Sequence, residues 1–133
     1  MDVLGLVRTY FERLESGDFV GAADCFSESA RYSHPPYAEE PPGSGRHEVH
    51  GRAAILALFR RRGLRDTRHE IVGSAHGGGR LFVSGVVKGA DGSVVASFVS
   101  EASFDRDLRR LTEYVAYSSR PAVWAAGGEG ESG

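Results

Sequence analysis

From residue 67 onward the chain repeats one pattern: a run of apolar and β-branched residues, then a cluster of turn formers. Residues 67–75 read as a strand and lead into Gly77-Gly78-Gly79. Residues 80–88 follow, then the hairpin signal Ala90-Asp91-Gly92-Ser93, then the long run 94–104, which Asp105-Arg106-Asp107 turns into 108–119. Strand runs joined by turns this short make an antiparallel meander. Such a sheet has one face to bury, so the residues before it must supply the cover. At 133 residues the chain has room for one core of this kind and not for two.

The first half has the composition to do that. In residues 2–14, Val3, Leu6, Val7, Tyr10, Phe11 and Leu14 recur at helical spacing, and Asp2 stands where a cap belongs. Ser16-Gly17 closes this helix, and Asp18 caps a shorter one predicted over 19–26. Ala30-Arg31-Tyr32-Ser33-His34 reads as a strand, because the residue before a proline is pushed toward extended geometry and Pro35-Pro36 follows. Residues 37–50 carry Pro41, Pro42, Gly43 and Gly45 without periodicity, which predicts a long loop of the lid or binding type. Residues 51–62 return to helix, with Ala54, Ile55, Leu58 and Phe59 on one face. The fold class is therefore α+β, with a curved antiparallel sheet wrapped around N-terminal helices to leave a conical hollow. Residues 1–126 are expected to form this single domain, and the Gly-, Glu- and Ser-rich 127–133 a disordered tail.

This order, with particular residues in it, resembles the nuclear transport factor 2-like superfamily, which includes ketosteroid isomerase and the SnoaL-type polyketide cyclases. The most specific portion is a helix bearing Tyr10, then Ser16-Gly17-Asp18, then Ala23-Asp24-Cys25-Phe26-Ser27-Glu28-Ser29-Ala30, a strand, and Pro35. The resemblance implies a cone-shaped, cystatin-type barrel with a pocket at its open end. In ketosteroid isomerase the residue before that proline is an aspartate base, and His34 stands there in this chain. Tyr10 matches a tyrosine that donates to the developing oxyanion, and Ser100 takes the place of a protonated aspartate. The resemblance thus implies the pocket, and not the steroid reaction. Limonene epoxide hydrolase, another member, needs an aspartate–arginine–aspartate set that has no counterpart placed here.

His34 is the first candidate catalytic residue. Alternation along its strand gives it the same face as Tyr32, which the resemblance turns inward, and a neutral imidazole moves protons near pH 7. Its other reading is a core histidine bonded to a backbone carbonyl. Glu113 is the second candidate: if Leu111, Val115 and Tyr117 face the hollow, Glu113 does too, and it could orient His34 as in a catalytic dyad. With the strand faces swapped, Glu113 instead pairs with an arginine outside. Tyr10 is the third, as a hydrogen-bond donor or as a core aromatic. Tyr32, Tyr37, Phe59, Phe98, Ser100, Val115 and Tyr117 are expected to line the substrate pocket, with Tyr37 and Trp124 near its opening.

Other signals exclude function classes. His47-Glu48-Val49-His50 spaces its histidines by three within a loop, where the helical zinc motif needs four, so no metal is expected. Gly77-Gly78-Gly79 lacks the lysine and helix of a phosphate loop, and no cofactor motif is present. A net charge of -2 and a pI near 6.2 give no reason to expect nucleic acid, and the basic run at Arg60, Arg61, Arg62 and Arg65 suits a helix C-terminus. No signal peptide or membrane span is read, and Cys25, the lone cysteine, cannot form an intrachain disulfide, so a cytoplasmic location is expected. Lys88 is the one lysine among 16 basic residues, a composition that suits a GC-rich bacterial genome.

Two functions fit. One is a cofactor-independent isomerase, cyclase or dehydratase acting on a small apolar, cyclic or polyketide-like molecule in bacterial secondary metabolism. The other is a non-catalytic module that binds a small ligand or a partner. Either way a homodimer is expected through the outer sheet face, at Val95, Ser97, Val99 and Glu101.

Overall fold

Asp2 accepts the backbone N–H of Gly5 at 2.8 Å and so starts helix α1, Val3–Glu15, in the computed structural model, which describes residues 2–125. That start sets the phase that buries Val3, Leu6, Val7, Tyr10, Phe11 and Leu14. Asp18 caps α2, Phe19–Ala23, in the same way, through Gly21 N–H at 2.9 Å. The expected end of that helix at residue 26 is a correction. Phe26 is instead the first residue of β1, Phe26–His34, and is drawn out of the helix by parallel pairing with Leu111. Cys25 at the junction is buried, and burial raises the pKa of its thiol.

The segment expected as a loop contains a short strand, β2, His47–His50, which pairs antiparallel with β1 from His34↔His47 to Arg31↔His50. Four residues are too few to display a period, and their ladder partner decides their state. Gly51 ends it at φ 94° and donates to Ala30 O at 2.7 Å, a conformation only glycine enters cheaply. Helix α3, Arg52–Arg62, follows and buries Ile55, Leu58 and Phe59.

The meander is β3 (Arg68–Gly77), β4 (Arg80–Lys88), β5 (Val94–Phe104) and β6 (Leu111–Ser119). All six strands form one open, mixed sheet of order β2-β1-β6-β5-β4-β3, in which only β1 and β6 run parallel. Each strand pair in the meander carries a register shift, and such bulges bend and twist a sheet. The inner face is read directly from the register: Leu81, Val83, Gly85 and Val87 oppose Ala102, Ser100, Phe98 and Ala96. Tyr114 opposes both Ala102 and Tyr32, which brings β1 and β6 into the same inner row.

The helices cover that face. Tyr10 is the hub: its ring packs edge-on to Phe26 at 5.2 Å and Tyr114 at 5.2 Å, and stacks on Phe59 at 5.7 Å. Phe59 is wholly buried in this cluster, so it belongs to the core and not, as expected, to the pocket lining. The tail expected at 127–133 lies outside the described residues. Among the described residues, no helix is long and apolar enough to cross a membrane.

Candidate active site

A cavity of about 170 Å³ lies between α1, the inner sheet face and the segment that follows β1. Tyr10, Tyr32, His34, Tyr37 and Phe98 all line it, as expected, and Tyr117 borders it. Its apolar lining includes Leu14, Val87 and Ala96 beside Phe98 and Tyr114.

His34 sits at the end of β1, where the Pro35-Pro36 stop leaves its ring stacked over Tyr32 at 7° and tilted against Tyr37 at 5.1 Å. Its Nδ1 lies 2.7 Å from the Pro35 carbonyl oxygen, which only accepts, so Nδ1 carries the proton and Nε2 the lone pair. Burial above all, with the Arg62 guanidinium nearby, pushes its pKa down to about 4. His34 is therefore a neutral hydrogen-bond acceptor at pH 7.

Glu113 is not its partner. On β6 the alternation breaks between Leu111 and Glu113: Phe104 opposes Leu111 while Ser103 opposes Glu113, so Thr112 is an extra residue. The bulge lets Leu111 and Tyr114 both face the core and turns Glu113 to the outer face. There it pairs with Arg31, and with Arg80 at 3.6 Å. Val115 and Tyr117 turn outward with it, Val115 away from the lining and the Tyr117 ring under the Arg46 guanidinium at 5.0 Å. Ser100 does face inward, but it is fully buried beside Tyr114 and does not reach the cavity. Trp124 also leaves the opening: its indole N–H donates to Gly85 O at 2.9 Å, and it is not among the lining residues.

The histidine with a carboxylate partner is instead His69, which lines the cavity and is held by Glu15 from outside the lining. Phe11 and Glu15 are one helical turn apart on α1, so both reach the same neighbour. Phe11 stacks on the His69 ring at 4.5 Å, and Glu15 Oε2 accepts its Nδ1–H at 2.7 Å and its backbone N–H at 2.6 Å. Side-chain exposure is only 13% for Glu15 and 18% for His69, so water competes little for this bond. The carboxylate fixes the tautomer and leaves Nε2 of His69 as the lone-pair nitrogen, while His69 lines the cavity. Fifty-four residues separate the two, so no motif spacing marks them. One clue was available: alternation gives His69 the face of Ile71, an inward position that register confirms through Val87 and Gly85.

Hydroxyls complete the interior. Tyr10 and Tyr32 share one hydrogen bond at 2.7 Å, so one of their two protons remains to be donated elsewhere. Burial raises the pKa of both, as it does for Tyr114, and keeps them protonated donors. The segment after β1 closes over the mouth. Glu40 accepts Tyr37 N–H at 2.6 Å and pairs with His47 at 2.8 Å, and the Tyr37 ring stacks on His47 at 4.7 Å. His47 is thus tied into this closure, and His47 and His50, three apart on a strand, point to opposite faces.

The family profile described as the SnoaL-like domain matches residues 7–114. No curated protein is similar enough to count as a relative. Among solved structures, a provisionally assigned isomerase of the SnoaL-like family from Agrobacterium tumefaciens superposes with a TM-score of 0.68 at 19% identity, over 87% of this chain and 96% of that one. A provisionally assigned SnoaL-like polyketide cyclase from Shewanella denitrificans gives 0.64 at 18% identity, over 88% and 90%. A cystatin-fold protein from Novosphingobium aromaticivorans gives 0.62 at 16% identity, over 88% and 98%. At these identities the likeness is one of fold.

Proposed function

We propose that this chain, which belongs to the SnoaL-like domain family, is a cofactor-independent acid/base enzyme of the isomerase, cyclase or dehydratase type. Its substrate in this reading is a small cyclic, polyketide-like molecule of bacterial secondary metabolism, and its setting is the cytoplasm. The observation that carries the reading is His69 on the cavity wall, with Glu15 bonded to its Nδ1 from behind the lining. A histidine whose Nδ1–H is held by a carboxylate is built to accept a proton at Nε2, because the carboxylate stabilises the imidazolium that forms. Proton removal beside a carbonyl leaves charge on its oxygen, and the protonated Tyr10–Tyr32 pair is the donor for it. His34, neutral with its lone pair on Nε2, accepts a substrate hydroxyl and orients the ring. Two of the structural neighbours named above, one provisionally assigned as an isomerase and one as a polyketide cyclase, have names that fit this class. The reading includes a homodimer through the outer sheet face, where Val99 is 38% and Tyr117 49% exposed.

The test is exchange of the α-protons of tetralones and cyclic diketones in D2O, followed by NMR. The protein should accelerate exchange; His69→Gln should slow it about 100-fold or more, and Glu15→Gln at least about tenfold. Glu113→Gln, on the other face of the sheet, should stay within about twofold. Exchange that is accelerated but indifferent to His69→Gln removes the acid/base assignment. Saturable binding without any exchange favours the ligand-binding module instead.

A further inference from the structure

The cavity has a polarity that the chain as a whole does not. Three arginines and two histidines line it, Arg62, Arg65, Arg120, His34 and His69, and among the described residues no aspartate or glutamate does, although the net charge of the chain is -2. Arg65 is already neutralised, since Glu39 takes both its Nη groups at 2.9 and 2.8 Å. Arg62 donates from Nη1 to the Gly63 carbonyl at 3.0 Å, and among the described residues neither Arg62 nor Arg120 has a carboxylate partner. The Tyr37 hydroxyl, in the same lining, is buried with no hydrogen-bond partner. A buried donor in that state is destabilising unless something fills it.

We propose that the mouth of the cavity is an anion site, in which Arg62 and Arg120 hold the carboxylate of an otherwise apolar, ring-bearing acid and the Tyr37 hydroxyl donates to it. The guanidinium fork matches a carboxylate in plane and in hydrogen-bond count. The acid's apolar body lies against Leu14, Val87, Ala96 and Phe98, and its charged end stays at the arginine-lined mouth. A phosphate fits less well. Arg62 is the last residue of α3, whose C-terminal end carries the negative pole of the helix, and this disfavours a dianion. The inference rests on the cavity being the ligand site, and it narrows the substrate from a neutral ketone to a keto acid or a similar carboxylate.

Calorimetry on the full chain with naphthoate, naphthamide and naphthyl phosphate separates the cases without any turnover. Naphthoate should bind at least about tenfold more tightly than the isosteric amide. Arg62→Gln and Arg120→Gln should each remove most of that advantage and leave amide binding within about twofold, Arg62→Lys should restore part of it, and Tyr37→Phe should cost a few-fold. Equal affinity for acid and amide, tighter binding of the phosphate, or no saturable binding of naphthoate overturns the proposal. So does an advantage that survives in the Arg62→Gln, Arg120→Gln double variant with a native circular-dichroism spectrum. The acid/base reading fails separately: proton exchange that is indifferent to His69→Gln removes it, whatever the affinity for naphthoate.

Discussion

Two imidazoles line one cavity, and their neighbours prepare them for different work. His69 has a carboxylate to share the charge it would gain, whereas His34 is buried with only a carbonyl for a partner and the Arg62 guanidinium nearby. The consequence for His34 is a stability term with a definite sign. Above about pH 6.5 both the folded and unfolded chains hold it neutral, and it contributes nothing to the pH dependence. Between that value and about 4 the unfolded chain takes a proton that the folded chain refuses, so stability falls as the pH falls. Below that window both states are protonated and the loss, about 3 kcal/mol at most, is complete. Urea midpoints at the two ends of the window, for the parent and for His34→Gln, measure it: the parent's midpoint should drop more on acidification. Identical drops would mean that His34 titrates normally. The sequence made His34 visible, because Pro35 and the Tyr32 alternation are local signals. It could not make Glu15 visible, because a partner 54 residues away is chosen by how α1 lies across β3.

At the scale of elements, the helices and the meander were legible because each repeats its period several times, and the fold class followed from their order. The bulges were not. Thr112 is one inserted residue with no turn former beside it, yet it reverses the facing of Glu113, Val115 and Tyr117 together. A phase counted forward from Leu111 is therefore right for Leu111 and wrong for everything after it. Gly85 shows the opposite case, a single residue whose absence of side chain is required. It faces inward against Phe98, and a Cβ there would lie 2.3 Å from Glu70 O and 2.6 Å from the Phe98 ring. Relieving the contact with the Glu70 carbonyl strains the β3–β4 ladder, and the Phe98 ring, which lines the cavity, must move as well. Gly85→Ala should cost about 2 kcal/mol or more in denaturant unfolding and also weaken ligand binding. A change below about 0.5 kcal/mol would show that the sheet shifts to make room at little cost.

For the whole molecule, the two faces of the sheet divide the work. The inner face and α1 form the cavity from one chain alone, so catalysis and binding need no partner subunit in this reading. The outer face has a charged half and an apolar half. Glu48, Arg31, Glu113, Arg80 and Glu101 alternate in sign, with Arg31–Glu48 at 3.3 Å and Arg80–Glu101 at 2.6 Å, and they cross from β2 to β4. Exposed ion pairs of this kind add little stability, but they fix registry and oppose misaligned contacts. Beside them Val99 directly opposes Tyr117, and Phe82, 39% exposed, lies on the next strand of the same face. Of the row expected to form an interface, Val99 and Glu101 lie on the outer face. Ser97 is buried and accepts Val123 N–H at 2.9 Å, and Val95 is the inserted residue of a bulge and packs against the core. The surface open to the proposed second copy is thus centred on Val99, and a two-fold axis there would set apolar on apolar and each charged row beside its mate. A glutamate at position 99 would place two like charges near that axis, uncompensated by the arginines already paired. Sedimentation equilibrium should show a dimer for the parent and a monomer for Val99→Glu, with ligand affinity unchanged within about twofold because the cavity lies on the other face. A parent that is monomeric at about 100 μM would exclude the dimer at any working concentration. Loss of affinity on dissociation would mean instead that the partner subunit completes the site.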